Sequence, residues 1–324
     1  MQMDQFIHKC NSWAAKGEPF LFLIDFECKK PLIFSLEEAE KEGLLFSLNG
    51  VKSQTDPGTK SGEQLSFDYM PVDQKFYARA FQHVKLNILH GNSYLLNLTF
   101  PTKLNTNLTL QDIFLRSDAK YKLLKRDDFV VFSPECFIKI VDGVIYSYPM
   151  KGTIDASLPG AEEQLLKDEK ELWEHNTIVD LIRNDLSIVA REVELTRFRY
   201  IDRIKTHKGE LLQVSSEIRG KLQGSWRAHL GDILAKLLPA GSISGAPKQK
   251  TIELIEEAEQ GERGYFTGIF GLFDGKELDS GVMIRYIEKM GDKLQFRSGG
   301  GITGHSKMED EYNEMLDKVY VPIS

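Results

Sequence analysis

Short turns between apolar runs constrain the fold of this chain most. Three turn dipeptides divide such runs: Asp142-Gly143, Asp274-Gly275 and Gly291-Asp292. The first separates residues 137–141 from residues 144–148, and Asp-Gly between two such runs is a strong short-range signal for a β-hairpin. No alternation of single strands with helices, which a parallel sheet needs, is visible. The sequence therefore predicts an α+β protein built on antiparallel sheets.

Apolar spacing predicts the helices and the remaining strands. Helical periodicity covers four segments: Asp73 to His90, Asp168 to Ala190, Lys248 to Glu259 and Lys307 to Lys318. Phe20 to Phe26 and Ser93 to Phe100 are predicted strands. The turn-rich segment Gly50 to Glu63 cannot hold a periodic apolar face. We therefore divide the chain into a short N-terminal segment, 1–64, packed on a main catalytic domain, 65–324.

Composition excludes several classes of protein. With 324 residues, 41% of them hydrophobic and 27% charged, the chain can bury a sizeable core. A net charge of −7 without a basic cluster argues against nucleic acid as a partner. Three scattered cysteines indicate neither a disulfide framework nor a cysteine zinc site. No signal peptide and no apolar run long enough to span a membrane is apparent, so we expect a cytoplasmic protein.

Lys151 is a candidate nucleophile. It lies in the run Tyr148-Pro149-Met150-Lys151-Gly152-Thr153, directly after the second arm of the predicted 137–148 hairpin, and Glu135 precedes the first arm. An amine beside a glycine turn can attack an electrophile. A lysine in a turn is also commonly a solvated charge, and Lys151 alone does not separate these alternatives.

Two pairs of glutamates are candidate metal ligands. Glu171 and Glu174 are three residues apart on one predicted helix, and Glu311 and Glu314 repeat that spacing on the last helix. Carboxylates without cysteine suit Mg²⁺, which prefers oxygen ligands. Glutamate-rich helix faces are also normally solvated, and Glu171 near a helix start could complement the helix dipole. Both interpretations stay open on spacing alone.

Three further segments could bind an anion. Gly299-Gly300-Gly301 follows the predicted strand 293–297, where successive amides could form a concave nest, or merely a bulge. Arg285, in a predicted strand, could clamp a carboxylate or pair with a structural acid. The segment 241–247 presents hydroxyls and amides before a helix, which suits an anion and helix capping equally.

The polar residues of the helix that starts near Asp168 are expected to be mainly structural. We interpret four of them as a network beside the site: Asp180, Arg183, Asn184 and Asp185. His175 lies on the apolar side of this helix, which favours a supporting position in the core.

The order of these motifs resembles that of the chorismate-utilising enzymes, from about Ser66 to the end of the chain. The resemblance includes the run Ser93 to Thr99, Glu174-His175 with residues 179–186, residues 239–248, and Gly299 to Ile302. It implies two packed antiparallel β-sheets with helices on the outside. It also implies addition of a nucleophile to the ring of chorismate in the presence of Mg²⁺.

The resemblance assigns a role to each candidate site residue. Lys151 and Glu135 are the implied catalytic residues, Glu174 and Glu314 the direct Mg²⁺ ligands, with Glu171 and Glu311 acting through water. The implied substrate-binding residues are Gly152, Thr153, Ser242, Tyr265, Arg285, Gly299, Gly300, Gly301 and Lys318.

Lysine before Gly-Thr is similar to the mark of the aminodeoxychorismate synthase branch, component I. Anthranilate synthases have alanine there, and isochorismate synthases use a lysine at the position of Asn97. The implied reaction is amination at C4 to 4-amino-4-deoxychorismate, toward 4-aminobenzoate and folate. The Lys151 amine attacks C2 as the C4 hydroxyl leaves, and ammonia then replaces the lysine. This predicts a raised pKa for Glu135 and a lowered pKa for Lys151.

Two alternatives to this branch stay open. One is anthranilate synthase component I, and the other is a catalytically idle homologue that binds chorismate and has a regulatory role. Gln213 stands where related enzymes often have a histidine, so a role for that histidine is in doubt. The N-terminal segment is shorter than in members with a tryptophan site, and we expect no tryptophan feedback. No glutaminase nucleophile elbow is visible, so ammonia is expected from a separate glutamine amidotransferase subunit.

Overall fold

Two antiparallel β-sheets form the centre of the protein. The computed structural model describes residues 1–54, 66–206 and 209–322, and each sheet has nine strands within them. Helices pack on the outer faces of the sheets, so the predicted α+β architecture of two packed antiparallel sheets is confirmed.

The strands, in chain order, are β1 Phe20–Ile24, β2 Leu32–Ser35, β3 Leu44–Leu48, β4 Val51–Lys52, β5 Phe67–Met70, β6 Leu95–Thr106, β7 Tyr121–Lys125, β8 Phe129–Ser133, β9 Cys136–Val141, β10 Val144–Ser147, β11 Met150–Asp155, β12 Arg191–Thr206, β13 Gly209–Lys221, β14 Gly245–Ala246, β15 Ile269–Phe273, β16 Leu278–Val282, β17 Tyr286–Met290 and β18 Lys293–Ile302. The first sheet has the order β11-β13-β10-β9-β16-β15-β1-β2, with β12 on β13. The second has the order β14-β6-β18-β17-β8-β7-β3-β4, with β5 on β6.

The helices are α1 Met3–Lys16, α2 Leu36–Lys41, α3 Gln74–Leu89, α4 Leu110–Arg116, α5 Ala161–Lys167, α6 Glu169–Val189, α7 Leu230–Leu237, α8 Gly241–Ser244, α9 Lys248–Glu259 and α10 Met308–Asp317, with a 3₁₀ turn at Trp226–His229. The four predicted helices are confirmed as α3, α6, α9 and α10. Asp73 and Asp168 cap α3 and α6, because each side chain accepts a hydrogen bond from a backbone amide in the first turn. None of the helices in the described residues is long and apolar enough to cross a membrane.

The three predicted hairpins are also confirmed. Asp142-Gly143 joins β9 to β10, and the turns at Asp274-Gly275 and Gly291-Asp292 join β15 to β16 and β17 to β18. Asp142 has a φ of 49° and Gly143 a φ of 76°. Positive φ at both central residues is what a tight two-residue hairpin turn requires, so Asp142-Gly143 determines the register of β9 and β10.

Residues 1–54 contribute strands to both sheets. β1 lies inside the first sheet, between β15 and β2, while β3 and β4 extend the second sheet beyond β7. The predicted boundary at residue 64 lies outside the described residues, as does most of the predicted loop Gly50 to Glu63.

The side chains of β1 alternate between two apolar layers. Leu21 and Leu23 pack between the two sheets, where Phe129 and Tyr286 of the second sheet meet them. Phe22 on the opposite face of β1 belongs to the larger core beneath the helices. Burial of each such side chain contributes about 1.5–3 kcal/mol, so the central strands stabilise two layers at once.

The prediction that Arg285 lies in a strand is wrong. The chain leaves the first sheet after β16 and enters the second at β17, and residues 283–285 make this crossing. Arg285 adopts a φ of 52°, in the left-handed region. The apolar residues around Arg285 alternate as in a strand because they enter two different sheets, not because they lie in one.

A buried ion pair joins the second sheet to two helices. Arg263 is 1% exposed, and its Nε donates to Glu259 Oε2 at 2.9 Å at the end of α9. The same guanidinium donates to the carbonyl oxygens of Asn97 in β6, at 2.7 Å, and Ile243 in α8, at 3.1 Å. Glu259 in turn accepts the amide of Thr99 at 2.8 Å. Through these hydrogen bonds the pair connects α9, α8 and β6.

Replacing Arg263 with methionine should destabilise the fold strongly. The change leaves the Glu259 carboxylate buried without its partner, which costs about 3–5 kcal/mol. Urea unfolding of Arg263→Met beside the wild type measures this loss. Arg219→Met is the matched control, because Arg219 pairs with Glu194 on the surface and its removal should change stability little. Equal losses of unfolding free energy in Arg263→Met and Arg219→Met would show that the buried pair stabilises the fold no more than the surface pair does.

Candidate active site

Lys151 lies in β11 with its amine against α6. Its Nζ is 2.8 Å from Glu174 Oε2. The pairing of β11 with β13 shifts register between Met150 and Thr153, and Gly152 at this bulge has a φ of 81°. A Cβ on Gly152 would lie 2.9 Å from Glu171 Oε2. Glycine is therefore required both by the backbone conformation and by the close approach of α6.

The second pair of glutamates comes from α10 and lies over the glycines of β18. A Cβ on Gly300 would be 3.4 Å from Glu311 Oε2 and 3.5 Å from Glu314 Oε1. Lys318, directly after α10, has its Nζ 2.7 Å from Glu314 Oε1 and 2.8 Å from the carbonyl oxygen of Gly299. Glu314 also acts electrostatically on Lys151. The structure thus brings together the two glutamate pairs that spacing suggested, together with two amines.

The predicted glycine nest is absent from β18. Gly299, Gly300 and Gly301 continue this strand and pair in register with residues 97–99 of β6. Their amides therefore lie in an extended ladder, which cannot form the concavity of a nest. A Cβ on Gly299 would lie 2.2 Å from the carbonyl oxygen of Leu98. Close packing against β6 and the site explains the glycines.

Glu135 lies between β8 and β9 and faces α8. Ser242 Oγ donates to Glu135 Oε1 at 2.6 Å. Burial raises the pKa of the Glu135 carboxyl, although the Ser242 hydrogen bond and the charges of Lys318 and Lys151 oppose that shift. The direction agrees with the prediction, and a raised pKa suits a carboxyl group that donates a proton.

The predicted direction for Lys151 is wrong. Burial alone would lower the pKa of this amine, but the carboxylates of Glu174, Glu314 and Glu171 outweigh burial and raise it. Lys318 shows the opposite balance, because burial and the nearby charges of Lys151 and Arg285 lower the pKa of Lys318 despite Glu314. In this arrangement the amine shifted toward the neutral form is Lys318.

Arg285 reaches the site from the crossing between the sheets. Its Nη1 donates to the carbonyl oxygen of Lys318 at 2.6 Å, and its guanidinium lies 4.6 Å from the centre of the Tyr320 ring. Burial lowers the pKa of Arg285, an effect that Tyr320 and Glu314 partly oppose. Arg285 therefore supports the end of α10 and adds a positive charge beside Lys318.

Two predicted substrate-binding residues contact other parts of the structure. Tyr265 donates its hydroxyl to the carbonyl oxygen of Lys30 at 2.8 Å, and its ring packs 5.3 Å from that of Phe129. Thr153 is exposed and pairs across the ladder with Gln213. Within the described residues neither side chain hydrogen-bonds to Lys151 or to the four glutamates, although Thr153 follows Gly152 directly in β11.

The polar residues of α6 form two groups instead of one network. Asp180 and Arg183 pair with each other at 3.2 Å on the exposed face. Asp185 turns inward, where its Oδ2 is 2.9 Å from Lys248 Nζ. The sequence contained a signal for this difference, because Asp185 lies between Ile182 and Leu186 on the apolar side of the helix.

His175 supports α6 from the core, as expected. Its Nε2 lies 2.6 Å from Ser216 Oγ of β13, and burial together with Arg199 lowers the pKa of His175 to about 4. The imidazole is therefore neutral near pH 7 and holds α6 against the first sheet. Gln213, the departure noted above, has a buried Oε1 without a hydrogen-bond partner in the described residues.

The donor chemistry of the site fits Mg²⁺. All four glutamates offer carboxylate oxygens, the ligands that Mg²⁺ prefers, and Glu171 Oε2 is buried without a hydrogen-bond partner in the described residues. No three acidic, histidine or cysteine side chains in those residues are close enough to form a ready metal cluster. The carboxylates of Glu174 and Glu314 form ion pairs with the amines of Lys151 and Lys318.

Known proteins with similar sequences include full-length and partial matches. A protein from Pasteurella multocida called an uncharacterized PabA-like protein is 55% identical over 100% of both chains. An anthranilate synthase component 1 from Haloarcula marismortui is 36% identical over 83% of this chain and 56% of its own length. An aminodeoxychorismate synthase component 1 from Bacillus subtilis is 28% identical over 77% of this chain and 55% of its own length.

The fold matches that of a solved enzyme. The menaquinone-specific isochorismate synthase MenF from Escherichia coli superposes with a TM-score of 0.75 at 15% identity, covering 98% of this chain and 80% of that one. The profile of the chorismate binding enzyme family matches residues 19–324, which include the N-terminal strands of both sheets. With the site residues described above, this match shows that the chain belongs to the chorismate binding enzymes.

Proposed function

We propose that this chorismate-utilising enzyme is an aminodeoxychorismate synthase component I, which aminates chorismate at C4. The observation that carries the proposal is Lys151 in the position before Gly-Thr, whose amine contacts Glu174 of α6 and feels the charge of Glu314 of α10. An amine at this place can form a covalent adduct, which a member with alanine there cannot. The product would be 4-amino-4-deoxychorismate, the precursor of 4-aminobenzoate.

Glu135 and Lys151 supply the two chemical roles of this reaction. The Lys151 amine bonds to C2 while both ring double bonds shift and the C4 hydroxyl leaves with the Glu135 proton as water. Ammonia then bonds to C4, both double bonds shift back, and the Lys151 amine is released. The raised pKa of Glu135 keeps it in the acid form that the first step needs.

The positive groups of the site suit a substrate with two carboxylates. Lys318 and Arg285 lie together at the end of α10, where they can bind one carboxylate of chorismate. Glu174 and Glu314, with Glu171 and Glu311, would hold Mg²⁺, which when bound neutralises a substrate carboxylate. Lys151, whose Nζ lies 2.8 Å from Glu174 Oε2, must lose its proton before it attacks.

The second candidate function is that of an anthranilate synthase component I. Greater sequence identity to the Haloarcula protein than to the Bacillus protein favours it. Lys151 weighs against it, because amination at C2 needs no lysine nucleophile at this position. An idle regulatory homologue is a weaker candidate, since Lys151, Glu135 and all four glutamates are retained around one site.

We propose that ammonia comes from a separate glutamine amidotransferase subunit in the cytoplasm. Cys10 is buried in the core beneath the helices, and burial, followed by the charge of Asp232, raises the pKa of its thiol. Burial also raises the pKa of Cys28 to about 11 and of Cys136 to about 12. A glutaminase nucleophile needs a lowered thiol pKa, so these cysteines do not suit that role.

Replacing Lys151 with alanine should abolish amination of chorismate. The purified chain is incubated with chorismate, Mg²⁺ and ammonium, and the product is identified by chromatography and mass. We expect 4-amino-4-deoxychorismate from the wild type and none from Lys151→Ala. Lys167→Ala, which removes an exposed lysine of α5, is the control and should keep full activity. Anthranilate as the wild-type product would refute the proposed regiochemistry.

Removing two of the carboxylates should weaken Mg²⁺ binding without chorismate present. We expect Mg²⁺ to raise the unfolding temperature of the wild type, because a ligand that binds only the folded state stabilises it. The double variant Glu174→Gln, Glu314→Gln should lose most of this shift in a thermal unfolding assay. Glu163→Gln, on the exposed face of α5, serves as the control. An equal shift in all three proteins would place the metal elsewhere.

A further inference from the structure

A small cavity lies directly behind Glu135. It lies between the open end of the β9–β10 hairpin, α6, the end of α7 and the first turn of α8, and both Glu135 and Asp185 line it. The cavity offers about 20 Å³ to the centre of a water-sized molecule. One buried water needs about 10–15 Å³ on this measure, so the cavity has room for a single water.

Consecutive residues of α8 hold the two carboxyl groups at this cavity. The Gly241 amide donates to Asp185, and the Ser242 hydroxyl donates to Glu135 at 2.6 Å. A Cβ on Gly241 would lie 2.8 Å from Asp185 Oδ2, so glycine is needed for this approach. The carboxyl groups of Glu135 and Asp185 therefore face one water-sized space from two sides.

Asp185 connects this space with the protein surface. Its side chain is 14% exposed and pairs with Lys248, which is 22% exposed. Glu135 is itself partly exposed, and the charges of Lys151 and Lys318, beside which the proposed substrate binds, act on it. A substrate bound there would cover Glu135 and leave the cavity as the other route for its proton.

We propose that Asp185 exchanges protons between solvent and Glu135 through one water molecule in this cavity. The inference rests on the proposed function, in which Glu135 gives its proton to the departing C4 hydroxyl. Ammonia loses one proton after it bonds to C4, so the overall reaction consumes none and Glu135 must regain one. Asp185 touches neither the substrate nor the reacting atoms, and it acts only through Glu135.

The carboxyls of Glu135 and Asp185 are the groups at the cavity that suit proton exchange. Glu135 faces Ser242, Lys318 and Lys151, and Asp185 faces Lys248 and the Gly241 amide. Burial raises the pKa of both carboxyls, so each can hold a proton near neutral pH more readily than an exposed acid. Cys136 and Tyr148 also line the cavity, but burial raises the pKa of both, so they stay neutral.

Asp185→Asn is the variant that tests the relay. We expect kcat to fall at least about tenfold and the solvent deuterium isotope effect on kcat to rise. Activity needs protonated Glu135 and is lost as pH rises through its pKa. Removing the negative neighbour lowers that pKa, so the alkaline limb should move to lower pH. Asp185→Glu should restore activity, and Asp180→Asn, on the exposed face of α6, should change nothing.

A double variant separates the relay from the ion pair. Asp185→Asn with Lys248→Met removes both partners, so no unpaired lysine is left beside the cavity. If Asp185 only balances the charge of Lys248, the double variant regains wild-type kcat and the proposal is overturned. If the kcat of the double variant stays low and its solvent isotope effect stays raised, the relay through Asp185 is supported.

Infrared titration tests the relay without turnover. The carboxyl band of Glu135, assigned with Glu135→Gln, should titrate at lower pH in the double variant than in the wild type, because two carboxyls joined by a water titrate together. An unchanged midpoint overturns the relay even if the chain proves inactive with chorismate. If the titration midpoint shifts but the wild type forms no 4-amino-4-deoxychorismate, the proposed reaction is rejected, whereas the proton coupling between Glu135 and Asp185 stands.

Discussion

The buried pair of Arg263 and Glu259 determines where the site residues of α8 lie. Arg263 binds the carbonyl of Ile243, and Asn97 of β6 donates its side-chain amide to the carbonyl of the neighbouring Ser242 at 3.0 Å. Ser242 in turn holds Glu135, and its neighbour Gly241 holds Asp185. Because a buried charge cannot change partners cheaply, the short helix α8 is fixed on the second sheet. The position of Glu135, the proposed proton donor, therefore depends on this buried ion pair.

The other part of the site is arranged by opposing charges. Glutamates from α6 and α10 approach from two sides, and the amines of Lys151 and Lys318 lie between them. A bare cluster of carboxylates would repel, and the two lysines relieve that repulsion. A divalent cation that binds Glu174 must therefore compete with the ammonium of Lys151. The residue proposed as nucleophile and the proposed metal ligands are thus not independent of each other.

The sequence was sufficient for local structure and insufficient for long-range electrostatics. Turn dipeptides and apolar spacing predicted the hairpins and the helices, because these signals act within a few residues. Arg285 was misplaced because a strand pattern looks the same whether it stays in one sheet or crosses to another. The pKa of Lys151 was predicted in the wrong direction because Glu174 and Glu314 are distant from Lys151 in the chain, and their charges reach it only after folding. Asp185 was grouped with Asp180 and Arg183 in one network because the cavity that it lines forms only when several elements distant in the chain come together.

The position of β1 has a consequence for how the protein is made. Phe20 pairs with Phe273, and β1 lies between β2 and β15 inside the first sheet. During synthesis the apolar strand β1 leaves the ribosome long before β15 exists, so for most of translation one edge of it has no strand to pair with. Closing so long a loop slows folding, because its entropy is lost before the contacts form. The nascent chain therefore carries an exposed apolar edge that chaperones would be expected to cover until the last quarter of the protein has been made.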